Sequence, residues 1–190
     1  MEVKLLQSTP NPEVFIGQMA GICYGKENSN DETCIKRAVH CVEKGHLSTL
    51  RFAHATFRIR EISRICSHQF VRSKHLDFLQ RSQRYCEEQD SNITIPESIL
   101  NDAKKLKRFE DAVAYNYAVY VNLVADGIKK EDARMILPQC VITELIVVGN
   151  FQAWLDFINL RDTKEAQWEI RAVAQEIKAQ LSSIAPNIFR

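Results

Sequence analysis

Ala55-Thr56-Phe57-Arg58-Ile59-Arg60 sets Ala55, Phe57 and Ile59 against Thr56, Arg58 and Arg60 in strict alternation. A period of two is that of a half-buried strand. The pattern then changes, because Ile62, Ile65, Cys66, Gln69 and Phe70 recur at the spacing of one helix face. Arg64, His68 and Arg72 stand four apart on a neighbouring face. Gln69 is an amide among apolar neighbours, and leaving its donors and acceptor unpaired would cost roughly 1–3 kcal/mol. It reads either as a core residue bonded to backbone or as an amide aimed at the edge of a nucleobase.

Outward from this stretch, the composition bounds the class. The chain has 190 residues, 45% hydrophobic and 26% charged, which suits one globular domain over 1–190. A formal charge of +1 gives no field to draw in nucleic acid or a membrane, so neither is expected as a partner. No apolar run approaches the roughly 20 residues that cross a bilayer. Without a basic region and apolar core at the N-terminus, no secretory signal is expected and the cytoplasm is the expected location. Cys23, Cys34, Cys41, Cys66, Cys86 and Cys140 form no Cys-x-x-Cys pair and read as reduced, packed thiols. Neither they nor the five His show ligand spacing, so no metal site is expected.

Val3 to Leu6 reads as a first strand, and Pro12 opens a helix to about Tyr24 with Phe15, Ile16, Met19 and Ile22 inward. A helix near Glu32 to Lys44 ends at Gly45. Pro96 to Gly127 reads as one long helix whose buried stripe is Leu106, Phe109, Val113, Tyr117, Tyr120 and Val124. Val141 to Val148 has strand length, and Asn150 caps a helix with Phe151, Trp154, Leu155 and Ile158 on its inner face. The final helix carries Ala166, Ile170, Val173, Ile177, Leu181 and Ile184 at helical steps.

Ser63-Arg64, Cys66-Ser67-His68-Gln69, Val71-Arg72 and then Ser82-Gln83-Arg84-Tyr85 resemble the signature of the flavin-dependent thymidylate synthases. Members of that family carry Arg-His-Arg, two residues, Ser, one residue, Asn-Glu, one residue, Ser, one residue, Arg-Tyr. This chain keeps Arg72, Ser82, Arg84 and Tyr85, and has Ser73, Lys74, Asp77, Leu79 and Gln80 at the intervening positions. A second cluster is similar too: Glu131-Asp132-Ala133-Arg134 with Leu137-Pro138, Asn159-Leu160-Arg161, and Ala166-Gln167-Trp168-Glu169-Ile170-Arg171. The two ordered clusters extend the likeness over nearly the whole chain. It implies an α/β (α+β) fold with a mainly antiparallel central sheet flanked by helices, assembled as a homotetramer.

The resemblance also implies chemistry. Gln69, Arg72, Ser82, Gln83, Arg84, Arg134 and Arg161 fall on positions that hold a pyrimidine nucleotide, dUMP first among the candidates. Arg suits this task because its planar fork matches a phosphate, and a cation beside a ring carbonyl stabilises charge developing there. Methylenetetrahydrofolate is the implied carbon donor, with FAD as cofactor and NADPH as reductant where flavin is retained. His46, Arg72, Lys74, Gln80, Asn150, Gln152 and Asp156 fall on flavin-contacting positions, of which His46, Arg72 and Asn150 match the family residue. Arg51 and Phe52 stand in place of its Glu-His, Gln152 in place of an Arg, Asp156 in place of an Asn and Glu165 in place of a His. These losses predict weakened or altered flavin binding. Without flavin, Arg161 would polarise the ring while Ser82 or Cys86 supplied the nucleophile, although Cys86 reads more readily as an inert packed thiol. Methylation and hydroxymethylation both remain open, as does a non-catalytic nucleotide-binding relative acting as a sensor or accessory subunit.

Overall fold

A computed structural model of the chain describes residues 1–88 and 92–190. Four strands form one sheet: β1 (Glu2–Ser8), β2 (His54–Ser63), β3 (Leu76–Gln80) and β4 (Ile142–Asn150), in the order β1-β2-β4-β3. Every neighbouring pair is antiparallel. The Thr9 amide donates to the His54 carbonyl at 3.0 Å, pairing the end of β1 with the start of β2. Phe151 N donates to the Ala53 carbonyl at 2.8 Å, Arg64 N to that of Val141 at 3.1 Å, and Arg81 N to that of Glu144 at 3.0 Å. The helices are α1 (Pro12–Ile22), α2 (Asp31–Glu43), α3 (Arg64–Phe70), α4 (Glu97–Leu100), α5 (Ala103–Ala125), α6 (Lys130–Ala133), α7 (Phe151–Arg161) and α8 (Trp168–Ile184). The mixed, mainly antiparallel architecture expected from the sequence is the one observed.

The described residues group into two compact units. The first comprises Met1–Ile59, Gln69–Leu79 and Ile146–Arg190. Its core is aromatic: Phe57 packs edge-on to Trp154 with ring centres 5.0 Å apart, and Phe70 stacks on Phe157 at 4.5 Å. The Trp154 indole N–H donates to the Ala55 carbonyl at 3.1 Å, so this ring is fully buried with its polar handle satisfied. α7 starts where the sequence places it, because the Asn150 side chain accepts from Ala153 N at 2.9 Å. The second unit comprises Arg60–His68 and Gln80–Leu145, with Ile62, Cys66, Val113, Tyr120, Val141 and Leu145 buried.

Several sequence expectations are corrected. β2 runs on to Ser63 instead of giving way to a helix at Ile62, because Glu61 adopts a left-handed conformation (φ 57°). Such a residue shifts the alternation by one, as a bulge does. Ile59 and Ile62 thus both point inward at a spacing of three that imitates a helix, while Ile65 is 41% exposed. α3 ends at Phe70, so Arg72 lies beyond the helix that carries Arg64 and His68. Leu76–Gln80 is a strand the sequence reading left unassigned. The long helix breaks at Asn101 and Asp102, where the Asp102 carboxylate accepts from Lys104 N at 3.0 Å and Lys105 N at 3.1 Å and starts α5 afresh. α8 begins at Trp168, past Ala166, with Gln167 as its cap. On α1 the inward residues are Ile16, Gly17, Ala20 and Gly21, with Ile22 57% exposed. A Cβ at Gly17 would lie 1.9 Å from the Cys34 carbonyl oxygen, so α2 lies against a glycine face instead of an apolar one. Among the described residues no helix is long and apolar enough to cross a membrane, and all six cysteines are thiols rather than disulfides, but Cys23 and Cys86 are exposed where packed thiols were expected.

Candidate functional site

In the second unit, strand ends and short turns bring together side chains far apart in sequence. Gln80, the last residue of β3, is half-buried, and its amide Nε2 donates to Ser67 Oγ at 3.0 Å and to Thr143 Oγ1 at 3.2 Å. The Ser67 hydroxyl in turn donates to the Arg64 carbonyl at 2.9 Å. Both N–H donors of the amide are therefore spent inside the protein and its carbonyl oxygen remains as an acceptor. Thr143 also receives a long contact from Arg64 Nη1 at 3.4 Å. Arg64, Ser67 and Gln80 line a cleft of about 310 Å³ together with His68, Gln83, Leu137, Pro138 and Gln139. Among the described residues no carboxylate lines it. Burial pushes the Arg64 guanidinium below its usual range, Glu88 opposes that shift, and Arg134 adds to it by repulsion.

Beside this cleft the turn at Ser82–Cys86 is knit by local bonds. The Ser82 hydroxyl accepts from Arg84 N at 3.2 Å, and Cys86 N donates to the Ser82 carbonyl at 2.9 Å. Gln83 is buried, while Arg84, Tyr85 and Cys86 are exposed. The Arg84 guanidinium pairs through Nε with the Glu131 carboxylate and lies over the Tyr85 ring, 5.6 Å from its centre. Arg134 Nε donates to the Glu131 carbonyl at 3.1 Å. Gln80, Ser82, Gln83, Arg84 and Arg134, all singled out from sequence, thus belong to one unit, and Arg84 and Arg134 meet at one residue. Arg64, Ser67, His68 and Thr143 were not singled out as ligands. The four-residue spacing of Arg64 and His68 was the available signal. A second hollow of about 430 Å³ is lined by Arg60, Arg81, Glu61, Glu88 and Glu144, cations and carboxylates in near balance.

The first unit holds the remaining candidates. Arg161, at the last turn of α7, donates from Nη2 to the Gln69 carbonyl at 3.1 Å, and its Nε is buried with no partner among the described residues. Gln69 thus contributes its backbone to Arg161, and its side-chain amide is unengaged among the described residues. On the turn after α3, Arg72 and Lys74 are exposed and flank Ser73, whose Oγ is buried without a partner among the described residues. Asn150 spends its side-chain oxygen on the α7 cap, as described. Gln152 accepts from Arg51 Nε at 2.7 Å, so a cation from a distant position sits where the resemblance has one on α7. His46 and Asp156 are exposed. Arg51 and, on a separate turn, Arg72, Lys74 and the Ser73 hydroxyl are donors of a kind that suits the phosphates of a flavin dinucleotide. Among the described residues no cluster of His, Cys, Asp and Glu could hold a metal ion.

The family model described as "Thymidylate synthase complementing protein" matches residues 4–187. A flavin-dependent thymidylate synthase of Geobacter sulfurreducens is 36% identical over 201 residues, covering 100% of this chain and 86% of the relative. One from Mycobacteroides abscessus is 34% identical over 190 residues, covering 92% of this chain and 76% of the relative. Among solved structures, the UMP/dUMP methylase PolB of Streptomyces cacaoi, bound with 5-Br dUMP, superposes with a TM-score of 0.85 over 99% of this chain and 92% of that one. Its 19% identity makes it a likeness of fold. With the family match running nearly end to end and relatives above 30% identity, this chain belongs to the flavin-dependent thymidylate synthase family.

Proposed function

We propose that the chain is a thymidylate-synthase-type transferase that moves a one-carbon unit from methylenetetrahydrofolate to carbon five of dUMP, residues 1–190 acting as one catalytic domain. The names of its relatives support the reaction class, and the observation that carries the nucleotide assignment is the meeting of Arg84 and Arg134 at Glu131. Two guanidinium groups that each engage Glu131 through Nε, and not through the paired Nη donors, suit a phosphate dianion. Gln80, with its oxygen as the remaining acceptor, and buried Gln83 suit hydroxyl and amide donors of a nucleoside. Arg161 suits a ring carbonyl: Nη2 is anchored on Gln69, and the buried Nε is a donor in want of an acceptor. A fixed cation there lowers the energy of negative charge developing on the ring oxygen as carbon six is attacked.

The sequence argues for weakened flavin binding because cations are missing from the expected positions. Arg51 on Gln152 weighs against that loss at one of them, and we infer that FAD binds, held by Arg51, Arg72, Ser73 and Lys74. Bound flavin would supply the hydride that makes methylation, and not hydroxymethylation, the outcome. With NADPH as reductant the equation balances as dUMP, methylenetetrahydrofolate, NADPH and a proton giving dTMP, tetrahydrofolate and NADP⁺. Ser82 and Cys86 then have no nucleophilic task, in keeping with their turn contacts. The test is product analysis of purified protein supplied with these substrates and FAD. The expected product is dTMP, formed equally by Cys86→Ala. Hydroxymethylated nucleotide formed without NADPH would replace the methylation reading, and tight dUMP binding with no turnover would make the chain a binding protein.

A further inference from the structure

We propose that Glu131 is a positioning residue that orients both phosphate-facing arginines, an inference that rests on the nucleotide reading of this unit. Its two functional groups are used separately. The side-chain carboxylate takes Nε of Arg84, and the main-chain carbonyl takes Nε of Arg134 at 3.1 Å. A guanidinium pinned at Nε can present only its Nη1–Nη2 edge, the edge that meets two oxygens of a phosphate in parallel. The Glu131 side chain therefore fixes the presented edge of Arg84, and the main chain at the same position fixes that of Arg134, so substitutions at 131 read the Arg84 half. The bracket is itself held: Ala133 is buried at 1% exposure, and Lys130 pairs with the Glu87 carboxylate at 3.4 Å, tying the short helix to the segment that follows Arg84. Glu131 could instead act as a stand-in anion that a phosphate must displace. The contact opposes this, because the carboxylate occupies Nε and not the Nη1–Nη2 edge that a phosphate would meet.

The two roles differ in sign and in ligand dependence. Ligand-observed NMR and calorimetry with dUMP and with deoxyuridine separate them, since only the first carries the phosphate. In Glu131→Ala, dUMP binding should weaken about tenfold and deoxyuridine binding should change less than about twofold. Glu131→Gln keeps an oxygen acceptor for Arg84 Nε and should stay within about threefold of wild type for both. Should the alanine variant fail to fold, Glu131→Asp carries the test: it withdraws the carboxylate by one methylene, and the same phosphate-selective loss is expected. Unchanged or tighter dUMP binding in Glu131→Ala overturns the proposal, as does an equal loss for both ligands. Wild-type protein that binds neither ligand overturns the nucleotide reading itself, and the inference with it.

Discussion

Arg51 and Gln152 form the pair whose reading changes most between sequence and structure. Each departs from the family pattern when taken alone, one putting a cation where a Glu stands and the other removing a cation. Their side chains meet at 2.7 Å, so the two departures read as a single exchange. Sequence spacing could not reveal it, because the partners are 101 positions apart and lie on different elements. Arg161 was legible by motif, yet its buried, unpartnered Nε was not, because burial of one atom depends on packing around the guanidinium. If Arg51 meets a flavin phosphate, Arg51→Ala should weaken FAD binding by about tenfold, the cost of one charge-assisted contact at an exposed position. Titration of FAD into flavin-free protein, followed by quenching of flavin fluorescence, measures this without any turnover. An unchanged affinity would assign the Arg51–Gln152 contact to fold maintenance alone.

At the scale of elements, the sequence reveals those whose period and caps agree. The Asn150 cap, β4 and the final helix were all readable to within a few residues, since apolar spacing and capping residue coincide there. β3 was not, because Leu79 points outward at 73% exposure and Gln80 turns inward, the reverse of polarity on a half-buried strand. That inversion is stable because Ser67 and Thr143 satisfy the amide. The inner face of α1 was read only in part, with Ile16 inward as expected and Ile22 not: glycines on a helix face signal close approach, and hydrophobicity gives no weight to it. Asn150 joins the element and site scales, being both a flavin candidate and the α7 cap. Asn150→Ala should cost about 1 kcal/mol by loss of the cap, seen as a lowered midpoint in thermal or urea unfolding. Asn150→Ser retains a capping oxygen and should restore most of that stability. A flavin affinity that falls in both variants would add a ligand role, whereas one that follows stability alone would leave the cap as its whole function.

For the whole molecule, the question is what covers the apolar surface left by a single chain. α5 is 23 residues long, yet only Val113 and Tyr120 on it are buried, with Leu106, Phe109, Tyr117 and Val124 half-buried. Tyr115 is 71% and Val121 45% exposed on its other side, where Ala114, Ala118 and Ala125 are exposed as well. Met135 at 86%, Tyr85 at 76% and Trp168 at 43% add to the uncovered area, whereas Trp154 is fully buried within its own chain. Scattered apolar residues are normal on a monomer, but a long helix showing Tyr, Val and Ala on its outward side suits a helix-to-helix interface between copies. We therefore propose the homotetramer implied by the resemblance, with α5 in its interface. Light scattering at micromolar concentration should report about four times the 21.9 kDa chain mass. A charge on the outward stripe, Val121→Glu, would have to be desolvated in such an interface without a partner and should shift the distribution to smaller species. Helical content by circular dichroism should be kept, since Val121 is exposed within the chain. Wild-type protein that scatters as a monomer refutes the assembly. A tetramer indifferent to Val121→Glu would place its interface elsewhere than α5.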